Sequence, residues 1–193
     1  MKIATLGIIT RGNQVLLGRK QGGSEIGEGT LNGPGGKQEP GESLIECLVR
    51  ETEEEVGIVL DPTKVEKVAI ITFHAGGITD FEVHIFRTGD FSGEPRETKS
   101  MIPAWYDIKN LPLEDMHNSD RAWFPQIIQG RKFHANVYYQ ERAKGFMRID
   151  FLPFAECVGR APRDRHFFTQ NVIDYLLILN IDRRGGEVED FGG

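Results

Sequence analysis

Residues 3–10 and 14–19 are apolar, β-rich runs, and the Arg11-Gly12-Asn13 between them predicts a hairpin. The pattern then breaks, because Gln21 to Thr30 holds four glycines and no apolar period, which predicts a loop. Leu31-Asn32-Gly33-Pro34-Gly35-Gly36 must turn tightly and brings backbone N–H groups within reach of a ligand. The clearest helix follows, with Ser43 and Glu46 in a capping-box spacing and Gly57 as its terminator after Val56. Val65 to Phe73 and Phe81 to Thr88 predict strands separated by the turn-forming Ala75-Gly76-Gly77, and Pro103 to Ile108 predicts another. Asp120 to Gln129 predicts a second helix, and Phe133 to Tyr139 with Phe146 to Phe151 a closing hairpin.

The pattern changes after Pro153, which divides the chain into a domain over residues 1–154 and an extension over 155–193. Residues 159–166 form a basic linker, and Thr169 to Ile181 predicts a helix whose apolar residues surround its axis. Such a helix must be covered, either by the preceding domain or by a second copy of the chain in a homodimer. Asp182 to Gly193 is polar, Gly-rich and expected to fray.

With 193 residues, 39% apolar and 27% charged, the chain can bury the core of one domain plus an appendage. Its net charge of −6 argues against broad nucleic-acid binding, which draws on clustered Lys and Arg. A phosphate-bearing small molecule held through a metal stays open. Cys47 and Cys157 are far apart and have no CxxC spacing, so buried thiols in a reducing compartment are expected rather than a disulfide framework. The run Tyr175 to Leu179 is too short to cross a bilayer, and the N-terminus lacks a signal-peptide cleavage pattern. The expectation is a soluble, cytoplasmic protein with no membrane partner.

At about 100° per residue, Ile45, Leu48, Val49, Thr52 and Val56 share one sector of the first helix. Glu51, Glu54 and Glu55 share an adjoining one, standing at i, i+3 and i+4, where they repel each other. Hard oxygen donors grouped on one helical turn suit Mg²⁺ or Mn²⁺, which removes that repulsion. Arg50 lies four residues before Glu54 and can pair with it. On charge pattern alone, a solvated acidic face is the commoner reading.

The frame around these glutamates reverses that preference. Gly36, five residues, Glu42, seven residues, Arg50-Glu51, Glu54-Glu55 and Gly57-Ile58 is the Nudix box. All seven fixed residue types are present, and the departure, Thr52 for an aliphatic residue, falls on the core sector. Val15-Leu16-Leu17-Gly18, Lys20, Asn32-Gly33, Gly35-Gly36-Lys37, Val83-His84 and Trp123-Phe124-Pro125 resemble the mammalian-type, MutT-like branch that clears oxidised purine nucleoside triphosphates. The resemblance covers about residues 3–152 and implies an α/β fold, an α/β/α sandwich with a mixed sheet.

The resemblance also implies roles. Glu51, Glu54, Glu55 and the Gly35 carbonyl would ligate Mg²⁺ or Mn²⁺, with Arg50 in the catalytic set. Thr5, Lys20, Gly36 and Lys37 match substrate-contacting positions, Asn32 and Asp120 match readers of the purine edge, and Phe73 matches an aromatic packed on the base. Asp120 has a second reading as a helix cap, and Phe73 and Trp123 have a second reading as core. Three departures stand out: His117 in place of a stacking tryptophan, Ser119 in place of an aspartate beside Asp120, and Ser100 in place of a ligating glutamate, with Glu97 close by. The implied reaction is hydrolysis of a nucleoside triphosphate such as 8-oxo-dGTP to monophosphate and pyrophosphate, with Glu54 or Glu55 as the base. Rival readings are an enzyme for another nucleoside diphosphate derivative and a catalytically weak nucleotide sensor, although a sensor would commonly have lost box carboxylates.

Overall fold

The computed structural model describes residues 1–21 and 29–154. The chain divides into two units, residues 1–155 and 156–193. The expected helix Thr169–Ile181, the frayed end, the covering subunit and Cys157 all lie outside the described residues.

The first hairpin joins β1 (Lys2–Arg11) to β2 (Gln14–Lys20), with Arg11 opposite Gln14. After β3 (Leu31–Asn32) comes helix α1 (Leu44–Val56), then β4 (Val59–Leu60), β5 (Glu66–Ala75), β6 (Ile78–Thr88), β7 (Phe91–Ser92) and β8 (Met101–Asp107). Helix α2 (Asp120–Ile128) precedes β9 (Phe133–Glu141) and β10 (Lys144–Pro153). The strand order is β10-β9-β5-β6-β1-β2-β3, with β8 also paired to β2. The β1–β6 and β5–β9 pairs are parallel and the other pairs antiparallel, so the sheet is mixed as expected. Between β5 and β6, Gly76 and Gly77 both take positive φ, at 57° and 81°, which a two-residue hairpin turn of the primed type demands.

Alternation along the central strands divides the core between the two faces. Ile8, Val15, Leu17 and Ile85 join Trp123, Phe124 and Ile127 of α2 in one buried cluster. Ile9, Leu16 and Phe86 join Leu48 and Val56 of α1 in the other. One helix therefore covers each face, which is the α/β/α sandwich. Leu48 is fully buried, and truncating it to alanine would cost roughly 2–5 kcal/mol. Helix α1 carries the expected capping box, with Glu46 N–H donating to Ser43 Oγ and Ser43 N–H to Glu46 Oε2.

Several boundaries differ from expectation. Strand β8 begins at Met101 rather than Pro103; Pro103 lies on the edge of the sheet opposite Gly18, where its missing N–H breaks no ladder. Strands β4 and β7 are two residues each and pair only with one another, too short to leave a period in the sequence.

Candidate active site

The Gly-rich turn after β3 is laid against β1 by main-chain bonds: Thr5 N–H donates to Gly36 O at 2.9 Å and Gly7 N–H to Pro34 O at 2.8 Å. Gly35 has φ 154°, and a Cβ there would overlap the Thr5 carbonyl, so the turn can lie this close only with glycine. At Gly36 a Cβ would overlap the Glu51 carboxylate. The turn and α1 thus enclose Glu51 and Glu55 between them.

Arg50 organises the acidic side of the helix. Its guanidinium grips Glu42 through two bonds, at 3.1 and 2.8 Å, and reaches Glu51 at 2.9 Å and Glu54 at 3.3 Å. The expected Arg50–Glu54 pair is present, but it is the longest of these contacts. Bonding to Arg50 holds the Glu42 carboxyl down at about 2. Glu55 is treated differently: its Oε2 accepts from Gly35 N–H at 2.8 Å, and burial pushes its pKa up to about 7 against that bond and the charge of Lys20. Burial also raises Glu51, opposed by Arg50.

Glu51 and Glu55 border a cavity of about 450 Å³, within the range of small-molecule sites. Its walls also include Thr5, Lys20, Asn32, Gly35, Gly36, Lys37, Phe73, His117 and Asp120, so these expected site residues are brought together. Arg50 and Glu54 do not line it. Arg50 stands behind the carboxylates, and Glu54 is exposed and held by Arg50. Thr5 on that wall is 2% exposed, and its hydroxyl lies 3.3 Å from Cys47 Sγ. Glu97 is exposed, accepts from Gln21 Nε2 at 3.2 Å, and does not border the cavity. Lys20 acts electrostatically on both Glu55 and Asp120, lowering each carboxyl.

Asp120, also on the cavity wall, is 5% exposed and burial drives its pKa upward. Its Oδ1 accepts from Ser119 Oγ at 2.9 Å and Trp123 Nε1 at 3.0 Å, so its side chain is anchored by the indole rather than capping the helix backbone. The helix start is served instead by the His117 carbonyl, which accepts from Asp120 N–H. Phe73 both borders the cavity and packs on the core. The sequence reading missed Tyr139 and Phe81, which also line the cavity. Both fall at inward positions of alternating strands, a signal indistinguishable from plain core.

The donor set fits a hard divalent cation in its chemistry, since two of its carboxylates are partly buried, raised in pKa and border the cavity together with Gly35. Among the described residues, no three acidic, thiol or imidazole side chains gather at one point; Arg50 holds Glu51, and Gly35 N–H holds Glu55.

A mixed sheet between two helices, with a box of glutamates closed by glycines over a cavity of small-molecule size, is the arrangement expected of a hydrolase built on that box. A NUDIX domain matches residues 1–127, and the chain belongs to the Nudix hydrolase family. Hydrolases of this family generally use a divalent metal. The chain is 38% identical over 140 residues to the oxidized purine nucleoside triphosphate hydrolase of Danio rerio, covering 72% of this chain and 87% of that protein. It is 34% identical over 142 residues to the protein of that name from Mus musculus, covering 73% and 88%. The mutator MutT protein from Bacillus halodurans shares the fold with TM-score 0.67 at 23% identity, covering 78% of this chain and 97% of that one.

Proposed function

We propose that the chain hydrolyses nucleoside triphosphates to monophosphate and pyrophosphate with Mg²⁺, favours oxidised purines such as 8-oxo-dGTP, and so cleans the nucleotide pool. The observation that carries the reading is a single cavity bordered by Glu51, Glu55 and the buried Asp120. A ligand spanning it has its phosphates among carboxylates that need a cation and its base against a buried polar anchor. The similarity to the two oxidized purine nucleoside triphosphate hydrolases supports the substrate class.

Glu51, Glu55 and the Gly35 carbonyl would hold the ion, with Glu54 available on release from Arg50. When bound, the ion supplies charge neutralisation on the phosphates and acidifies water. The chain's own residues do the rest. Lys20 places positive charge on the cavity wall, where it acts on both Glu55 and Asp120 and can meet the phosphates. Glu55 is the base of choice over Glu54, because it lies in the cavity and keeps Oε1 for a proton while Oε2 is fixed by Gly35 N–H. Arg50 fixes Glu51 in register with the glycine turn, and such positioning is most of what phosphoryl transfer needs.

The test is incubation of the full chain with Mg²⁺ and a panel of dGTP, 8-oxo-dGTP, dATP, 2-oxo-dATP, pyrimidine triphosphates and ADP-ribose, with products separated by ion exchange. Preferential formation of 8-oxo-dGMP and pyrophosphate is expected. Turnover of ADP-ribose alone, or of nothing, would sink the reading.

A further inference from the structure

Where the family resemblance places a stacking indole, this cavity has an imidazole tied to its wall. Tyr139 is 6% exposed, and its Oη lies 2.8 Å from His117 Nδ1. The two rings meet edge to face, with centroids 5.6 Å apart and planes at 68°. Burial pushes the Tyr139 pKa up to about 12, so the phenol keeps its proton. A phenol that keeps its proton and meets an imidazole nitrogen at this distance donates to it when that nitrogen is bare, the arrangement in which His117 Nδ1 is the acceptor. In a neutral imidazole the other nitrogen then carries the hydrogen. Ser119, 1% exposed, spends its own hydroxyl proton on Asp120 Oδ1. The two departures from the family pattern, His117 and Ser119, thus belong to one hydrogen-bonded wall that includes Tyr139.

We propose that His117 is a specificity-determining residue that reads the base by donating from Nε2–H, and that Tyr139 is its positioning residue. The inference rests on the nucleotide reading above and names the chemistry the pocket selects. A fixed donor matches a keto oxygen, as on guanine, 8-oxoguanine or hypoxanthine. Facing an exocyclic amino group, as on adenine, it meets a second donor, and a buried polar contact left unpaired discriminates far more strongly than a lost apolar one. The pocket therefore sorts bases by keto against amino character at this wall, not by stacking area.

The test uses the full chain, ¹⁵N-labelled at histidine and free of metal, with His117→Phe and Tyr139→Phe as variants. At a pH where imidazole is neutral, the His117 ring resonances are expected to show a bare Nδ1 and a protonated Nε2. Tyr139→Phe is expected to shift the Nδ1 resonance and mix the tautomers, which a purely structural tyrosine would not do. Titration with dGMP, 8-oxo-dGMP and dIMP against dAMP gives the selectivity without requiring turnover. The keto-over-amino binding ratio is expected to fall roughly tenfold in His117→Phe and by a smaller factor in Tyr139→Phe. If no nucleotide binds, the proposed function falls and this inference with it. If nucleotides bind but His117 carries its proton on Nδ1, or the ratio is the same in all three proteins, this inference alone is overturned.

Discussion

Replacing Glu55 by glutamine should make the ion-free protein more stable, and only in one direction of pH. The Glu55 carboxyl has its pKa raised from 4.5 to about 7 by burial. A carboxyl raised on folding binds its proton more tightly in the native state, so the native state is favoured below the unfolded value and loses that advantage as pH rises through the folded one. A shift of this size corresponds to roughly 3 kcal/mol of destabilisation above pH 7, and about 2 kcal/mol once the burial of the replacement amide is allowed for. Glutamine keeps an Oε1 to accept from Gly35 N–H, so the bond at 2.8 Å survives. In EDTA at pH 8, thermal unfolding of Glu55→Gln should lie about 4–8 °C above wild type. The gap should close towards pH 4.5, where both side chains are neutral. Adding Mg²⁺ should narrow it from the other side by stabilising wild type alone, and the variant should lose turnover. A gap of the same size at every pH would refute the reasoning, because it would mean that the buried charge does not set the difference.

Three further outcomes follow from the same geometry. Gly36→Ala places a methyl group on the Glu51 carboxylate and must displace it, so kcat should fall about 100-fold, with far less change in KM, in steady-state assays. Thr52→Val removes a hydroxyl that is fully buried without a hydrogen-bond partner, and should raise stability by about 1 kcal/mol in urea unfolding with activity unchanged. Arg50→Met frees Glu42, whose carboxyl should return from about 2 towards its ordinary value in a ¹³C NMR titration. Because a depressed carboxyl stabilises above its unfolded pKa and loses that contribution as pH falls towards 2, the variant's deficit should be largest near neutrality and shrink in acid.

What the sequence made legible was whatever carries its own local signal. Helix α1 runs from Leu44 to Val56 between Ser43 and Gly57, as expected, because the cap, the apolar period and the terminator are all within one stretch of chain. The box places Glu51 and Glu55 beside Gly35 and Gly36 for the same reason. The parts that escaped depend on partners distant in sequence. Strand β4 exists only because β7 comes to pair with it, and Pro103 continues β8 only because that strand lies at an edge. Tyr139 reads as one more inward residue of a strand whose other inward positions are Phe133, Ala135 and Val137. Its role shows only when the fold brings its hydroxyl to His117, 22 residues away.

The same argument explains why Asp120 defeated a one-residue reading. From the sequence it is an acidic residue at a helix start, and the cap and the ligand readings predict the same letter. The fold separates them through Trp123, which sits one turn on in α2 with its ring in the core and its indole N–H on Asp120 Oδ1 at 3.0 Å. Core packing therefore fixes the aspartate, and the helix takes its N-terminal acceptor from the His117 carbonyl instead. A tryptophan that reads as core and an aspartate that reads as cap are one device, holding a buried carboxyl on the wall of the cavity that Glu51 and Glu55 also border.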